Sequence, residues 1–164
     1  MIQVYTGDGK GKTTASIGLA IRAKGRNKKV IVIHFLKSEK SGEDYILDKL
    51  GIPVYMFGAG FFDPKNPPEK IKKIVENGIH FALETINSGN FDIVILDELN
   101  YVFFVRLFDP VIFFDEIKRA KIELIITGRN APKYVIERAD LVTEMKEVKH
   151  YFHNGVDGRP GIEY

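Results

Sequence analysis

Residues 6–14 read TGDGKGKTT, with three glycines and two lysines in nine positions directly behind the first apolar run of the chain. Glycines at this density let the backbone curl until its N–H groups face inward, and a helix starting at the end of the loop adds positive potential. The stretch therefore suits a polyphosphate. Gly11-Lys12-Thr13 matches the end of the P-loop pattern, in which the lysine contacts phosphate oxygens and the hydroxyl reaches magnesium. The beginning departs from that pattern. Thr6 stands where the usual first glycine belongs and Gly7 follows one position later, so the loop is expected to be shortened or differently folded. A dinucleotide fingerprint fits worse, because Gly7, Gly9 and Gly11 follow a G-x-G-x-G spacing. The plainer reading, an ordinary glycine-rich turn, is disfavoured by the strand before, the helix after and the Lys12-Thr13 pair.

A second candidate element is FDIVILDELN, an apolar strand ending in Asp97 and Glu98. P-loop proteins present carboxylates in this way to the magnesium of their nucleotide, and in a hydrolase the second acid could instead orient the attacking water. Carboxylates at strand ends are often only solvated turn residues; pairing with a P-loop is what favours the metal role for Thr13, Asp97 and Glu98. His150 and His153 invite a metal reading too, but no third ligand accompanies them, and loop packing or substrate contact is preferred.

These residues need a scaffold, and the chain alternates the elements of one. Ile2 to Tyr5, Val30 to Leu36, Val54 to Phe57, Ile93 to Leu96 and Leu124 to Thr127 read as short buried strands, with a sixth at Leu141 to Met145. Helices are expected over Lys12 to Lys24, Glu43 to Leu50, Glu69 to Ile86, Pro110 to Arg119 and Ala131 to Ala139. Asp109-Pro110 reads as cap and first turn of the fourth. The alternation predicts an α/β fold of three layers around a mostly parallel sheet of about six strands, in one domain over 1–164, with ligands beyond the carboxyl ends of the strands.

Composition narrows the function classes. A net charge of +2 gives no general argument for nucleic acid or a membrane surface, so a phosphate ligand must be held by local design. Absence of cysteine removes disulfides, thiolate nucleophiles and cysteine-ligated zinc, and is compatible with a reducing cytosol. The start MIQVYTG has no signal-peptide shape, and YVFFVRLFDPVIFF is too interrupted for a bilayer span; a cytoplasmic protein is expected. Phe103, Phe104, Phe108, Phe113 and Phe114 read as core and dimer contact.

TGDGKGKTTASIGLAIRAKG, LDELN, ITGRNAP, ADLVTEM, VKH and the terminal GIEY, in this order, resemble the P-loop corrinoid adenosyltransferases, which attach the adenosyl group of ATP to cobalt. The resemblance implies a RecA-like sheet, a homodimer, an electron-donating reductase such as a flavoprotein as partner, and Mg²⁺ or Mn²⁺ with ATP. The implied reaction transfers the 5′-deoxyadenosyl group to a reduced corrinoid, cob(I)alamin or a related precursor, and releases triphosphate. Carried over by position, Thr6, Gly7, Asp8, Gly9, Lys10, Gly11, Lys12, Thr13 and Thr14 would hold the triphosphate, with Arg22 and Arg129 near the nucleotide. Lys12, Thr13 and Glu98 would carry the catalysis. An atypical nucleotide orientation, exposing the ribose 5′ carbon to cobalt, would account for the shortened loop.

The same resemblance places a corrin-facing aromatic wedge in FGAGFFDP, with Phe61 at the family phenylalanine and Phe62 supplying part of the remaining aromatic surface. That segment departs from the family's GEGFTW-like pattern at Ala59, Phe62 and Asp63, and a plain pair of core phenylalanines is the alternative. The C-terminal stretch from His150 to Tyr164 is expected to line the same cleft. Two other readings stay open: a small RecA-like ATPase or kinase acting at phosphorus with the same loop, and a nucleotide-binding regulatory module. A thymidine-kinase-like reading is disfavoured by the missing cysteines.

Overall fold

The computed structural model describes residues 1–118 and 121–164. Six short runs of mainly β-branched residues form one sheet. They are β1 (Ile2–Thr6), β2 (Val30–Phe35), β3 (Val54–Phe57), β4 (Ile93–Asp97), β5 (Glu123–Thr127) and β6 (Leu141–Glu144). The strand order is β3-β2-β4-β5-β1-β6, and every pairing among the described residues is parallel. All carboxyl ends therefore lie along one edge. The central β2 and β4 are buried throughout, as a sheet covered on both faces requires.

Alternation along the strands divides the core in two. Ile31, Ile33 and Phe35 of β2, Val94 and Leu96 of β4, and Leu124 and Ile126 of β5 pack into one layer with α3 (Glu69–Ser88), α4 (Leu99–Phe104), α5 (Pro110–Asp115) and α6 (Lys133–Arg138). Val30, Val32, Ile93, Ile95 and Ile125 face the other way, against Ile17, Ala20 and Ala23 of α1 (Lys12–Lys24) and Leu47 of α2 (Gly42–Lys49). The result is a three-layer α/β fold consistent with the P-loop family. The amphipathic α3 supplies the longest buried stripe, with Ile71, Val75, Ile79, Ala82 and Ile86 on one side.

Several element ends shift by one or two residues from the sequence expectation, α3 for one running on to Ser88, and three differences have an identifiable setting. The helix α4, six residues directly behind Glu98, has no polar face to give it a helical period, because LNYVFF is apolar on nearly all sides. It forms because Leu99, Val102 and Phe103 all find burial against the sheet. The helix expected from Pro110 ends at Asp115; its expected last residue, Arg119, lies outside the described residues. At α6 the helix begins at Lys133 rather than Ala131, since Pro132 keeps the residue before it out of the helical region and itself serves as the N-cap. The expected cap at α5 is present: the Asp109 carboxylate accepts from the Val111 N–H at 2.7 Å with Pro110 in the first turn.

Candidate nucleotide site at the carboxyl edge

Gly7 to Gly11 are the only residues between β1 and α1. Thr6, at the position of the usual first glycine, ends β1; its hydroxyl accepts from the Ala131 N–H at 3.1 Å and ties the loop base to the segment after β5. Gly7 adopts φ 93°, and a Cβ there would stand 2.5 Å from the Met145 carbonyl oxygen, so this turn against the end of β6 demands glycine. The Gly9 N–H donates to the same carbonyl at 2.7 Å.

The loop encircles the Lys12 ammonium, which donates to the carbonyls of Gly7 and Gly9, each at 2.7 Å. One of its three N–H donors is left for a ligand oxygen. Burial holds the Lys12 pKa below its usual value, opposed by the negative charge of Glu98. Gly11 caps α1 with no side chain, and no acid occupies the first turn. The orphan N–H groups there and the helix dipole give an electropositive end facing the loop.

Beside this loop, the carboxyl ends of three adjacent strands carry polar side chains on the α1/α2 face. His34 ends the Val30, Val32 column of β2, Asp97 the Ile93, Ile95 column of β4, and Thr127 follows Ile125 on β5. Asp97 Oδ1 accepts from the hydroxyls of Thr13 at 2.8 Å and Thr127 at 2.6 Å, while Oδ2 lies 2.9 Å from His34 Nδ1. Burial would raise the Asp97 pKa, but the hydrogen bond and charge of His34 and the two hydroxyls hold it below the usual carboxylate value. For His34, burial opposes protonation and is outweighed by hydrogen bonds to Asp44 and Asp97, which bring its pKa up to about 9.

Glu98 has a different environment. It sits at φ 62° as the N-cap of α4, with its N–H donating to Thr127 Oγ1 at 3.1 Å. Its carboxylate accepts no hydrogen bond from the described residues. Burial first, then the adjacent Asp97 charge, raises its pKa to about 7 against the opposing pull of Lys12 and Arg129. A partly buried acid without a donor and the Thr13 hydroxyl line one cavity, a hard oxygen set suited to a magnesium-sized cation completed by phosphate oxygens.

A cavity of about 780 Å³ opens over these groups, lined among others by Lys12, Thr13, Asp97, Glu98 and Arg129. Its volume falls within the range of small-molecule sites. α1 contributes the apolar Ile17 and Ile21, and the start of α2 contributes its N-cap Ser41 with Gly42 and Glu43. The segments LDELN and ITGR meet physically: a Cβ on Gly128 would stand 3.1 Å from Asn100 Cβ, and the Asn100 amide donates to the Gly128 carbonyl at 3.4 Å. This close approach carries the chain into Arg129 at the cavity wall.

The C-terminal turn also reaches the cavity, with Gly161, Ile162, Glu163 and Tyr164 in its wall. Lys10 donates to the Ile162 carbonyl at 2.6 Å and pairs with Glu163 at 3.2 Å. His150 and His153 do not converge on a ligand: the His150 ring accepts from the Phe152 N–H and His153 pairs with Glu147.

Not every expected residue joins the cavity. Arg22 is exposed on α1 outside the lining, and its charge acts on Tyr5. Phe61 and Phe62 lie in the segment between β3 and α3, beyond the lining as well. The two phenylalanines part company. Phe62 packs against the larger core, whereas Phe61 is fully exposed and takes no part in it. β3 is four strands from β1 on the shared edge, a separation of roughly 19 Å at ordinary strand spacing. His34, Lys37 and Thr127 were not singled out from sequence. The only signal was polarity at the ends of otherwise apolar strands.

The model of the family described as ATP:corrinoid adenosyltransferase BtuR/CobO/CobP matches residues 1–164. The chain belongs to this family. It is 37% identical to the corrinoid adenosyltransferase of Escherichia coli (strain K12), with all of this chain and 85% of that protein covered. The corrinoid adenosyltransferase CobA of Salmonella typhimurium is 33% identical, again over the whole chain and 85% of the relative. A Sinorhizobium corrinoid adenosyltransferase is also 33% identical, with 80% of its length covered.

The Glu98 environment gives a pH signature for the unliganded protein. Its carboxyl titrates near 7 when folded and near 4.5 when free. Between these values the folded state holds the extra proton, so this group's contribution to stability falls as pH rises through the window, and its full cost is present above 7. Glu98→Gln removes that cost. Thermal unfolding should show the variant more stable than wild type at pH 8, by about 1–3 kcal/mol, with the difference vanishing near pH 4.5. An equal difference at both pH values would contradict this environment.

Proposed function

We propose that this adenosyltransferase seats ATP with its triphosphate on Gly7 to Thr14 and its ribose 5′ carbon turned toward a corrinoid on the Phe61 side. The family's reaction moves an adenosyl group from ATP to a corrinoid, and membership sets aside the ATPase or kinase reading. The observation carrying the site assignment is the Lys12 ammonium, held by two loop carbonyls at the floor of a cavity that also contains Thr13, Glu98 and Arg129.

The reaction asks little of a general base. The lone pair of cobalt in the +1 state attacks the 5′ carbon, the bond from that carbon to the α-phosphate oxygen breaks, and triphosphate departs with the electron pair. What the protein must supply is alignment and positive charge where the leaving oxygen becomes anionic. Lys12, the N-terminus of α1 and Arg129 are the groups suited to that task, with Lys10 reaching the same triphosphate once it exchanges Glu163 for a phosphate. A bound Mg²⁺ or Mn²⁺ would neutralise further phosphate charge. Thr13 and Glu98 would hold it, with Asp97 fixing Thr13 because both Asp97 oxygens are already engaged.

Phe61 is the reading's corrin contact. An exposed phenylalanine on a loop beyond the sheet edge is available to displace an axial ligand of cobalt, which eases reduction to the +1 state; Phe62, packed on the core, anchors its neighbour. The reading further includes a homodimer, an electron-donating reductase such as a flavoprotein, and a cytoplasmic location. Among the described residues no helix is long and apolar enough to cross a membrane.

Two substitutions separate these roles. Lys12→Ala should lower adenosylation of chemically preformed cob(I)alamin by at least ~100-fold with an unchanged unfolding transition, the size expected for losing a charge-stabilising donor; near-normal turnover would remove the phosphate role. Phe61→Ala should slow the reaction from the +2 corrinoid with a biological reductant more than it slows reaction of preformed cob(I)alamin. Equal losses in the two assays would remove the wedge.

A further inference from the structure

The alternation of β2 calls for an apolar side chain at position 34. Val30 and Val32 precede it on the same face, and the site is fully buried. His34 stands there instead, as the register partner of Asp97 on β4. Its Nδ1 is 2.9 Å from Asp97 Oδ2 and its Nε2 is 2.9 Å from Asp44 Oδ1. Ionised carboxylates only accept, so both ring nitrogens donate and the ring bridges two acids.

Asp44 is itself fixed from the far side. Its Oδ2 accepts from the Ser41 N–H at 2.9 Å in the capping box of α2, and from Lys37 Nζ at 2.6 Å. A continuous line thus runs from the half-buried Lys37 through the buried Asp44, His34 and Asp97, and then forks. One branch is the Thr13 hydroxyl on α1, and the other is Thr127, whose oxygen receives the Glu98 N–H. Charges alternate along the line, which is what permits three ionisable groups to share the interior, with Lys37 at its half-buried end.

We infer that His34, backed by Asp44, is a positioning residue of the nucleotide site: it fixes the Asp97 carboxylate so that the Thr13 hydroxyl points its proton at Asp97 and its lone pairs at the metal–triphosphate. This rests on the reading of the cavity as a magnesium–ATP site. A carboxylate has two oxygens and a rotatable bond. With Oδ2 engaged by His34, Oδ1 is directed at α1 and β5; without that partner Asp97 is free to turn toward Lys12 or the cation. The Thr13 proton would then lose its acceptor, and the backbone of Glu98 would lose the hydroxyl that Asp97 orients. His34 touches neither nucleotide nor cobalt, so its action is through Asp97 alone.

Calorimetric titration of ATP, once with Mg²⁺ and once with EDTA, tests this on wild type, His34→Gln, Asp44→Asn, Thr13→Ala and the His34→Gln/Thr13→Ala double variant. Glutamine can reach one acid but cannot bridge both. His34→Gln should lose at least ~10-fold of the magnesium-dependent gain in affinity, while its affinity in EDTA stays within about twofold of wild type, since the Lys12 loop is untouched. Asp44→Asn should show a smaller loss of the same kind. The double variant should lose less than the sum of the two single losses, because both changes act in part through the Thr13 hydroxyl. A lower unfolding midpoint with the magnesium gain intact would make His34 structural only and overturn the inference, as would additive losses in the double variant. If His34→Gln does not fold, the imidazole N–H signals of the wild type decide. Adding Mg²⁺ to the ATP complex should shift the Nδ1–H resonance, and an unmoved signal would overturn the inference. Wild type that gains no affinity for ATP from Mg²⁺ would instead overturn the reading beneath it, and the inference with it.

Discussion

A carboxylate sunk at the end of the central strand is the constraint around which this molecule is arranged. Asp97 is almost wholly buried, and an ion in that position is tolerated only with charge and hydrogen bonds supplied on every side. The supply comes from four separate elements: a histidine on β2, hydroxyls on α1 and β5, and, behind the histidine, an acid on α2. Strand order makes this possible. β5 lies between the strand that launches the glycine-rich loop and the strand that ends in Asp97, so Thr127 is delivered to the gap between them. The elements that build the loop and the acid are thereby locked to one another before any ligand arrives.

Next to this satisfied acid stands an unsatisfied one. Asp97 is held charged by its partners, whereas Glu98 is pushed toward neutrality by burial and by Asp97 itself. Adjacent residues with opposite demands are a common feature of functional sites, where an incomplete set of partners marks the place for a ligand. The left-handed backbone of Glu98 belongs to the same picture, since α4 must start immediately in order to bury Leu99, Val102 and Phe103. The turn that aims the second acid into the cavity is thus maintained by packing on the opposite face of the sheet.

Much of this was legible from the chain. Strands such as VIVIHF and FDIVILD announce themselves through apolar β-branched runs, and the glycine-rich loop between β1 and α1 through glycine, lysine and threonine at fixed spacing. The displaced first glycine points to a shortened or differently folded loop, whereas Thr6 ending β1 and binding the Ala131 N–H is a tertiary contact invisible in spacing. Likewise α4 carries no helical period, and only burial on the sheet reveals it. His34 was the hardest to see. One polar residue at the end of a buried strand has no meaning until the register sets it opposite Asp97 and the fold lays α2 across it. The FGAGFF segment was ambiguous for a related reason: burial separates Phe61 from Phe62, and adjacent identical residues give no hint of which one the core takes.

On the proposed reading the positive groups gather on the departing triphosphate and the corrinoid supplies the nucleophile, so the bonds between phosphorus atoms should never be touched. Phosphorus NMR of ATP, magnesium and chemically reduced corrinoid, followed together with the cobalt–carbon absorbance and its loss on illumination, tests this most directly. The account predicts one inorganic triphosphate for each light-sensitive cobalt–carbon bond formed, and no consumption of ATP when corrinoid is left out. ADP and phosphate appearing without corrinoid, at a rate matching the turnover seen with it, would contradict the account.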